Sequence, residues 1–247
     1  MSNKNKILIG TSGWSYDEWR GKFYPPDLPK SRWLEYYAEI FQTVEINATF
    51  YRSFKETTYR KWYERSPQRF KFVLKAPKWI THRKRLDDVD EDIKVFSNSV
   101  SVLGDKFGLT LMQLPPGLEY EPERLRKALL AFDDPATVAV EFRSSRWIRD
   151  ETKQILIDTG SVFCIVDSPT SEKVDWITSS TAYIRLHGRK SWYDYDYSHK
   201  ELEEIGRMIE RLVCSGAERV YVFFNNDIGA HAPKNGIVLK EIVKSHF

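Results

Sequence analysis

Cysteine is scarce in this chain. The two present, Cys164 in an apolar run and Cys214 in a helical pattern, have no metal-type spacing and no secretory context, which excludes a disulfide framework. Both are expected to be buried, reduced thiols. No apolar run approaches a membrane span, and the polar segment Met1 to Lys6 leads into only three apolar residues. It reads as neither signal peptide nor anchor, so the cytoplasm is the expected compartment and no membrane partner is expected. Net charge is also small: 38 Lys plus Arg against 35 Asp plus Glu leave a formal +3. That is too little to predict nucleic acid or an anionic membrane surface from bulk charge, so any electrostatic argument must be local. Walker loop, G-x-G-x-x-G, H-E-x-x-H, C-x-x-C and nucleophile elbow are all missing, which points away from P-loop and cofactor-dependent redox chemistry; no cofactor is expected. No low-complexity tract or Pro/Gly/Ser linker divides the chain.

What is present is a repeated unit. A length of 247 residues suits one eight-stranded α/β barrel, and 41% apolar with 14% aromatic residues suits a packed core. Short β-branched and aromatic runs recur at Ile7 to Thr11, Thr43 to Asn47, Phe70 to Lys75 and Leu109 to Leu114. Four more follow at Val138 to Arg143, Val162 to Asp167, Tyr183 to His187 and Val220 to Asn225. Between them lie helical patterns. Val89, Ile93, Phe96, Val100 and Leu103 share one helix face, as do Leu202, Ile205, Met208, Ile209 and Leu212. Pro122 suits a first helical turn, while Gly160 and Gly216 suit C-terminal caps. Strand then helix, repeated, predicts a single (β/α)₈ TIM-type barrel domain over residues 1–247. Ser168 to Thr181 lacks an amphipathic pattern, so a long loop or single turn is expected after strand six.

Function is read from how the strands end. Parallel barrel strands should be apolar on both faces, yet these finish in charged or amide residues. They are Glu45, Asn47, Lys75, Gln113, Glu141, Arg143, Asp167, Arg185, His187, Asn225 and Asn226. Alternation puts Glu45 with Asn47, Glu141 with Arg143, and Arg185 with His187 on one face, assigned to the interior. The carboxyl ends of all eight strands would gather them at one rim. Each pair alone could be a satisfied ion pair closing the barrel. A whole ring of desolvated ions is an expensive plug, which favours a ligand site.

Several of these segments also resemble a known family. Gly10-Thr11-Ser12-Gly13-Trp14, Val44-Glu45-Ile46-Asn47 with Thr49-Phe50-Tyr51, Lys75-Ala76-Pro77 and Gln113-Leu114-Pro115-Pro116 are similar to signatures of the YecE-like domain-of-unknown-function family. So are Glu141-Phe142-Arg143, Arg185-Leu186-His187-Gly188, and Asn225-Asn226 followed by His231-Ala232. The matches run from residue 8 to about residue 240. The resemblance implies a barrel and supplies no activity.

The chemistry narrows further. Three carboxylates (Glu45, Glu141, Asp167) face three cations (Lys75, Arg143, Arg185), a balance that disfavours a metal centre. With the amides, it suits a small polar ligand carrying hydroxyls and an anionic group, such as a sugar phosphate or nucleotide. Arg143 and Arg185 could fork onto that group, and Thr11, Ser12 and Gly13 could cradle it with backbone N–H groups. His187 is the expected acid or base, with Glu141, Glu45 or Asp167 as partner. Lys75 invites a Schiff-base reading, against which stands a plain ion-pair role. His231 either covers the ligand or caps the last helix. Trp14, Tyr51 and the run from Trp192 to Tyr197 offer aromatic faces. Basic clusters at His82 to Arg85 and Arg189-Lys190 would flank the mouth, compatible with a polyanion. Three functions stay open: an enzyme on a small phosphorylated or carbohydrate-like substrate, a nucleic-acid-binding or phosphodiester-hydrolysing barrel, and a noncatalytic ligand sensor.

Overall fold

A computed structural model describes residues 7–246; the polar Met1 to Lys6 segment lies outside the described residues. Eight strands form, β1 Ile7–Thr11, β2 Thr43–Ile46, β3 Lys71–Lys75, β4 Phe107–Leu114, β5 Val138–Phe142, β6 Val162–Asp167, β7 Thr181–Leu186 and β8 Arg219–Phe224. They are parallel throughout and pair in the order β1-β8-β7-β6-β5-β4-β3-β2. The helices are α1 Trp33–Ile40, α2 Ala48–Tyr51, α3 Glu56–Glu64, α4 Asp90–Val100, α5 Pro122–Leu130, α6 Asp150–Thr159, α7 His199–Cys214 and α8 His231–His246. This is the (β/α)₈ TIM-type barrel the sequence predicts. The described chain between β6 and β7 carries no helix, as its missing amphipathic pattern implied.

The seam between β1 and β2 closes by a different device from the other ladders. At Gly10 the two strands approach so closely that an added Cβ would stand 2.1 Å from the Thr43 carbonyl oxygen. No side chain fits there, which is why the position needs glycine. From α1 the Tyr37 hydroxyl reaches into the seam, accepting from Thr11 N–H at 2.9 Å and donating to the Thr43 carbonyl at 3.1 Å. A bridge from Ser12 to Glu45 continues the contact.

Strand alternation then sorts side chains into two cores. Inside the barrel Leu8, Val73, Leu111, Ala139, Cys164 and Tyr221 pack together. Outside it, Val44, Phe72, Leu74, Val140 and Ile184 meet the helix faces carrying Ile93, Leu125, Ile155 and Ile209. The local signals act as expected. Pro122 opens α5, Gly160 caps α6 in the left-handed conformation, and a Ser198–Glu201 capping box opens α7. Three details differ. β2 stops at Ile46 because Asn47 takes helical angles as the N-cap of α2. The α4 pattern ends at Val100, and Leu103 sits in a following 3₁₀ turn, Ser101–Lys106. Cys164 is buried, but Cys214 is exposed: it ends α7 on the side away from the buried stripe.

Candidate functional site

The interior positions nearest the strand ends are polar, and they bond to one another. Arg185 of β7 is the hub. Its Nε and Nη2 donate to the two Glu45 carboxylate oxygens at 2.9 and 2.7 Å, and its Nη1 donates to Glu141. Glu45 also accepts from Ser12 Oγ at 2.7 Å and Tyr183 OH at 2.6 Å. Glu141 accepts from Gln113 Nε2 at 3.0 Å and pairs with Arg143. Glu45, Glu141 and Arg185 are all but sealed from solvent. Burial alone would raise the Glu141 carboxyl, but the guanidinium groups of Arg185 and Arg143 hold it well below the usual carboxylate range.

His187 follows β7 on the same interior face and is fully buried. Burial, then the positive field of Arg185, pushes its imidazole well below its ordinary value, so the ring is neutral at physiological pH. Two guanidinium donors approach Nε2, from Arg143 at 3.3 Å and Arg185 at 3.5 Å. Nε2 also stands 3.8 Å from Glu141 Oε1. The Asn225 amide nitrogen Nδ2 lies 2.9 Å from Nδ1 on the other side of the ring.

Above this network opens a cavity of about 1140 Å³ at the carboxyl ends of the strands. Arg185, Gln113 and Cys164 lie in its floor, while Lys75, Lys78, Arg143, Asn47 and Asn225 face it. Lys75 Nζ donates to Gln113 Oε1 at 2.8 Å and rests 4.2 Å from the Phe50 ring centroid. Desolvation, reinforced by Arg185, lowers its ammonium to about 8. Asn47 Oδ1 is buried and has no hydrogen-bond partner. Asp227 also faces the cavity, and burial raises its carboxyl to about 6. The β7 loop forms part of the wall. Gly188, at φ +108°, turns the chain where a Cβ would meet the Ser191 carbonyl oxygen at 2.3 Å. Trp192 then covers Arg143, whose guanidinium carbon is 4.9 Å from the ring centroid.

The expected ring thus divides. Asn47, Tyr51, Lys75, Gln113, Arg143, Arg185 and Asn225 line the cavity; Glu45, Glu141 and His187 lie beneath it, bonded to residues that do. Other expected residues are elsewhere. Asp167 takes the opposite parity from Cys164 and bonds Arg189 and Tyr197 outside the barrel. Asn226 likewise turns outward and donates to Asn235 of α8 and the Tyr195 carbonyl. His231 opens α8 between Asp194 and Asp196, and Trp14 packs edge-on against Trp62. The proposed anion cradle is already occupied: Ser12 N–H donates to the Phe224 carbonyl and Gly13 N–H to the Glu45 carbonyl, while Thr11 N–H meets Tyr37. Of the basic clusters, Arg189 pairs with Asp167 and Glu204, and Lys84 with Asp92. His82 faces the cavity, held neutral at about 4 by burial and nearby lysines.

Sequence reasoning did not single out Lys78, Asp227, or the wall formed by Ser168, Thr170 and Glu172. The last carried a signal. A helix-free polar stretch at the carboxyl end of a barrel strand is where such folds build their sites. Among the described residues, no three His, Cys, Asp or Glu side chains gather as a metal-ligand set.

A family model described as "Protein of unknown function DUF72" matches residues 8–247. The chain belongs to this family. A curated relative, the UPF0759 protein YunF of Bacillus subtilis, is 26% identical over 98% of this chain and 96% of its own length. The UPF0759 protein YecE of Escherichia coli is 31% identical over 44% of this chain and 38% of its own, in keeping with the YecE-like motifs. A crystal structure of a DUF72 family protein from Thermotoga maritima superposes with a TM-score of 0.88 at 30% identity, covering 97% of this chain and 99% of that one. A second DUF72 crystal structure, from Enterococcus faecalis, shares the fold at a TM-score of 0.82 and 21% identity, covering 96% and 95%.

Proposed function

We propose that this DUF72 barrel binds a small polar organic ligand carrying a phosphate or carboxylate, within the cavity at the carboxyl ends of its strands. The observation that carries this reading is the state of the cavity-facing cations. Among the described residues, no carboxylate lies within ion-pair distance of Lys75 or Lys78, although both line the cavity. The glutamates beneath are committed to Arg185 and Arg143. The lining therefore sets Lys75, at the end of β3, and Lys78, three residues on, on one side of the cavity with no carboxylate in reach, while Asp227 and Glu172 line other parts of it, and the lysine side is the one that favours an anion. Asn47, with its unbonded buried oxygen, and Asn225 supply donor and acceptor atoms for hydroxyls, and Tyr51 and Trp192 offer flat apolar faces.

Acid–base work in this reading falls to groups facing the ligand. Asp227 is the carboxyl whose proton is exchangeable near neutrality, while Glu45, Glu141 and His187 hold the cations in place. The free thiols and the compact barrel suit a cytoplasmic setting. Thermal-shift and calorimetric screening against phosphorylated and carboxylated metabolites tests the proposal. A hit should weaken by at least tenfold in Lys78→Ala and Arg143→Ala, at about 1.5–3 kcal/mol per charged hydrogen bond. Salt-steep binding of oligonucleotides with no small-anion binding would reassign the mouth to a polyanion, and turnover of a bound hit would separate enzyme from sensor.

A further inference from the structure

We infer that Lys75 is an amine nucleophile, and that the ligand of this cavity carries an aldehyde or ketone beside its anionic group. The inference rests on the anion-binding reading above and names the functional group that reading leaves open.

Four observations place the amine for this role. First, Nζ is nearly withdrawn from solvent, with 8% of the residue exposed, yet it borders the cavity. Second, its polar contact is a neutral amide: one N–H donates to Gln113 Oε1 at 2.8 Å. Gln113 is itself fixed by donating to Glu141 at 3.0 Å, so its oxygen cannot turn away. Third, the aromatic face of Phe50 at 4.2 Å occupies a second side of the nitrogen, leaving the remaining direction open to the cavity. Fourth, the position is rigid. The Thr49 hydroxyl donates to the Lys75 carbonyl at 2.7 Å, tying the end of β3 to α2, the element that also carries Phe50.

The electrostatics agree. Burial is the largest influence on the amine, followed by Arg185; Glu141 and Glu45 act in the opposite direction from beneath, and Arg143 adds to the lowering. An ammonium brought down to about 8 supplies neutral amine at physiological pH, as desolvated lysines beside other cations do. The neutral imidazole of His82 packs on the same Phe50 ring, with centroids 4.8 Å apart, and so adds no positive charge beside the amine. In the step itself, the Nζ lone pair bonds to the carbonyl carbon and the C=O π pair moves to oxygen. That oxygen takes up the proton that nitrogen releases, giving a carbinolamine. With one further proton from solvent the oxygen leaves as water, and the nitrogen lone pair closes the protonated imine. No oxidant or reductant enters.

Glycolaldehyde phosphate with cyanoborohydride, followed by peptide mapping, tests the inference on the full chain. The reductant fixes any imine as a stable amine. Lys75 should be labelled at least about tenfold faster at pH 7 than exposed lysines such as Lys94, because its neutral fraction is larger. Ethylene glycol phosphate, which has the same anion and no carbonyl, should protect it. Lys75→Arg should lose the fast adduct; should that variant fail to fold, wild-type labelling and protection decide the matter. Labelling of Lys75 no faster than of Lys94, with ethylene glycol phosphate still bound, overturns the nucleophile and leaves the anion site standing. Absence of binding by either phosphate overturns both.

Discussion

The buried network and the cavity face above it are built from the same strand ends, yet they differ in how completely their polar groups are bonded. Below, Arg185 spends three nitrogens on Glu45 and Glu141, both glutamates take further donors from Ser12, Tyr183 and Gln113, and Glu141 Oε1, which has no hydrogen bond, is held in an ion pair by Arg143. Above, Lys75 keeps one amide contact, Asn47 Oδ1 has none, and Lys78 has no carboxylate partner among the described residues. Polar residues at a barrel mouth thus do two jobs. Saturated groups hold the architecture and fix the field; unsaturated groups wait for a ligand. Bonding state, rather than residue type, tells them apart.

The sharpest way to break this comparison is to open the saturated layer. Arg185→Met would strand two buried glutamates, and it should lower unfolding free energy by about 3–5 kcal/mol in urea titrations. The deficit should shrink in acid, where protonation relieves the stranded charges. A variant as stable as wild type at pH 7 would show that the network contributes little to folding. The next effect in size concerns Glu141. Its folded carboxyl titrates well below the unfolded one, so the unfolded chain binds more protons in acid. Its stabilisation is present above the unfolded value, about 4.3, and is lost as pH falls below it. Unfolding midpoints taken from pH 6 down to pH 3 should drop in wild type. In Glu141→Gln the starting stability should be lower and the acid-dependent drop shallower.

How far the sequence revealed this arrangement follows from what periodicity encodes. Alternation correctly grouped Glu45, Glu141 and Arg185 on the interior, because a strand fixes which face a side chain takes. The same rule applied from Cys164 would have turned Asp167 outward; counting it with the ring went against its own parity. Depth was the part that could not be read. Whether Glu141 meets solvent or an arginine depends on Arg185, 44 residues away, and on register between strands. The small-residue turn after β1 reads as an anion cradle until one sees that closing the β1–β2 seam consumes its amides. Loop contributions such as Lys78 and Asp227 have no period, and only the unpatterned stretch after β6 announced itself.

The cavity face calls for smaller, binding-centred tests. Arg143→Ala removes a partly exposed guanidinium whose Glu141 partner keeps Arg185 and Gln113, so stability should fall by only about 1 kcal/mol. Affinity for an anionic ligand should fall by tenfold or more, the reverse of the Arg185→Met pattern. If both variants lost stability and affinity in the same proportion, the division between the layers would not hold.

Asp227 provides the mildest test, with a sign opposite to that of Glu141. Burial, assisted by repulsion from Glu18, raises its folded carboxyl to about 6, above the unfolded value near 3.9. Its stabilising contribution is therefore full below about pH 4 and is lost as pH rises through 6. Asp227→Asn should gain stability relative to wild type across that window, while Glu141→Gln loses its disadvantage only on the acid side. Binding should respond in step. At pH 5 the wild-type carboxyl is mostly neutral, and the two proteins should hold an anion equally well. At pH 7.5 it is charged and repels the ligand, so the variant should bind more tightly by on the order of 1 kcal/mol, about fivefold. Equal affinities at both pH values would place the ligand's anionic group away from Asp227, on the Lys75, Lys78 and Arg143 side of the cavity.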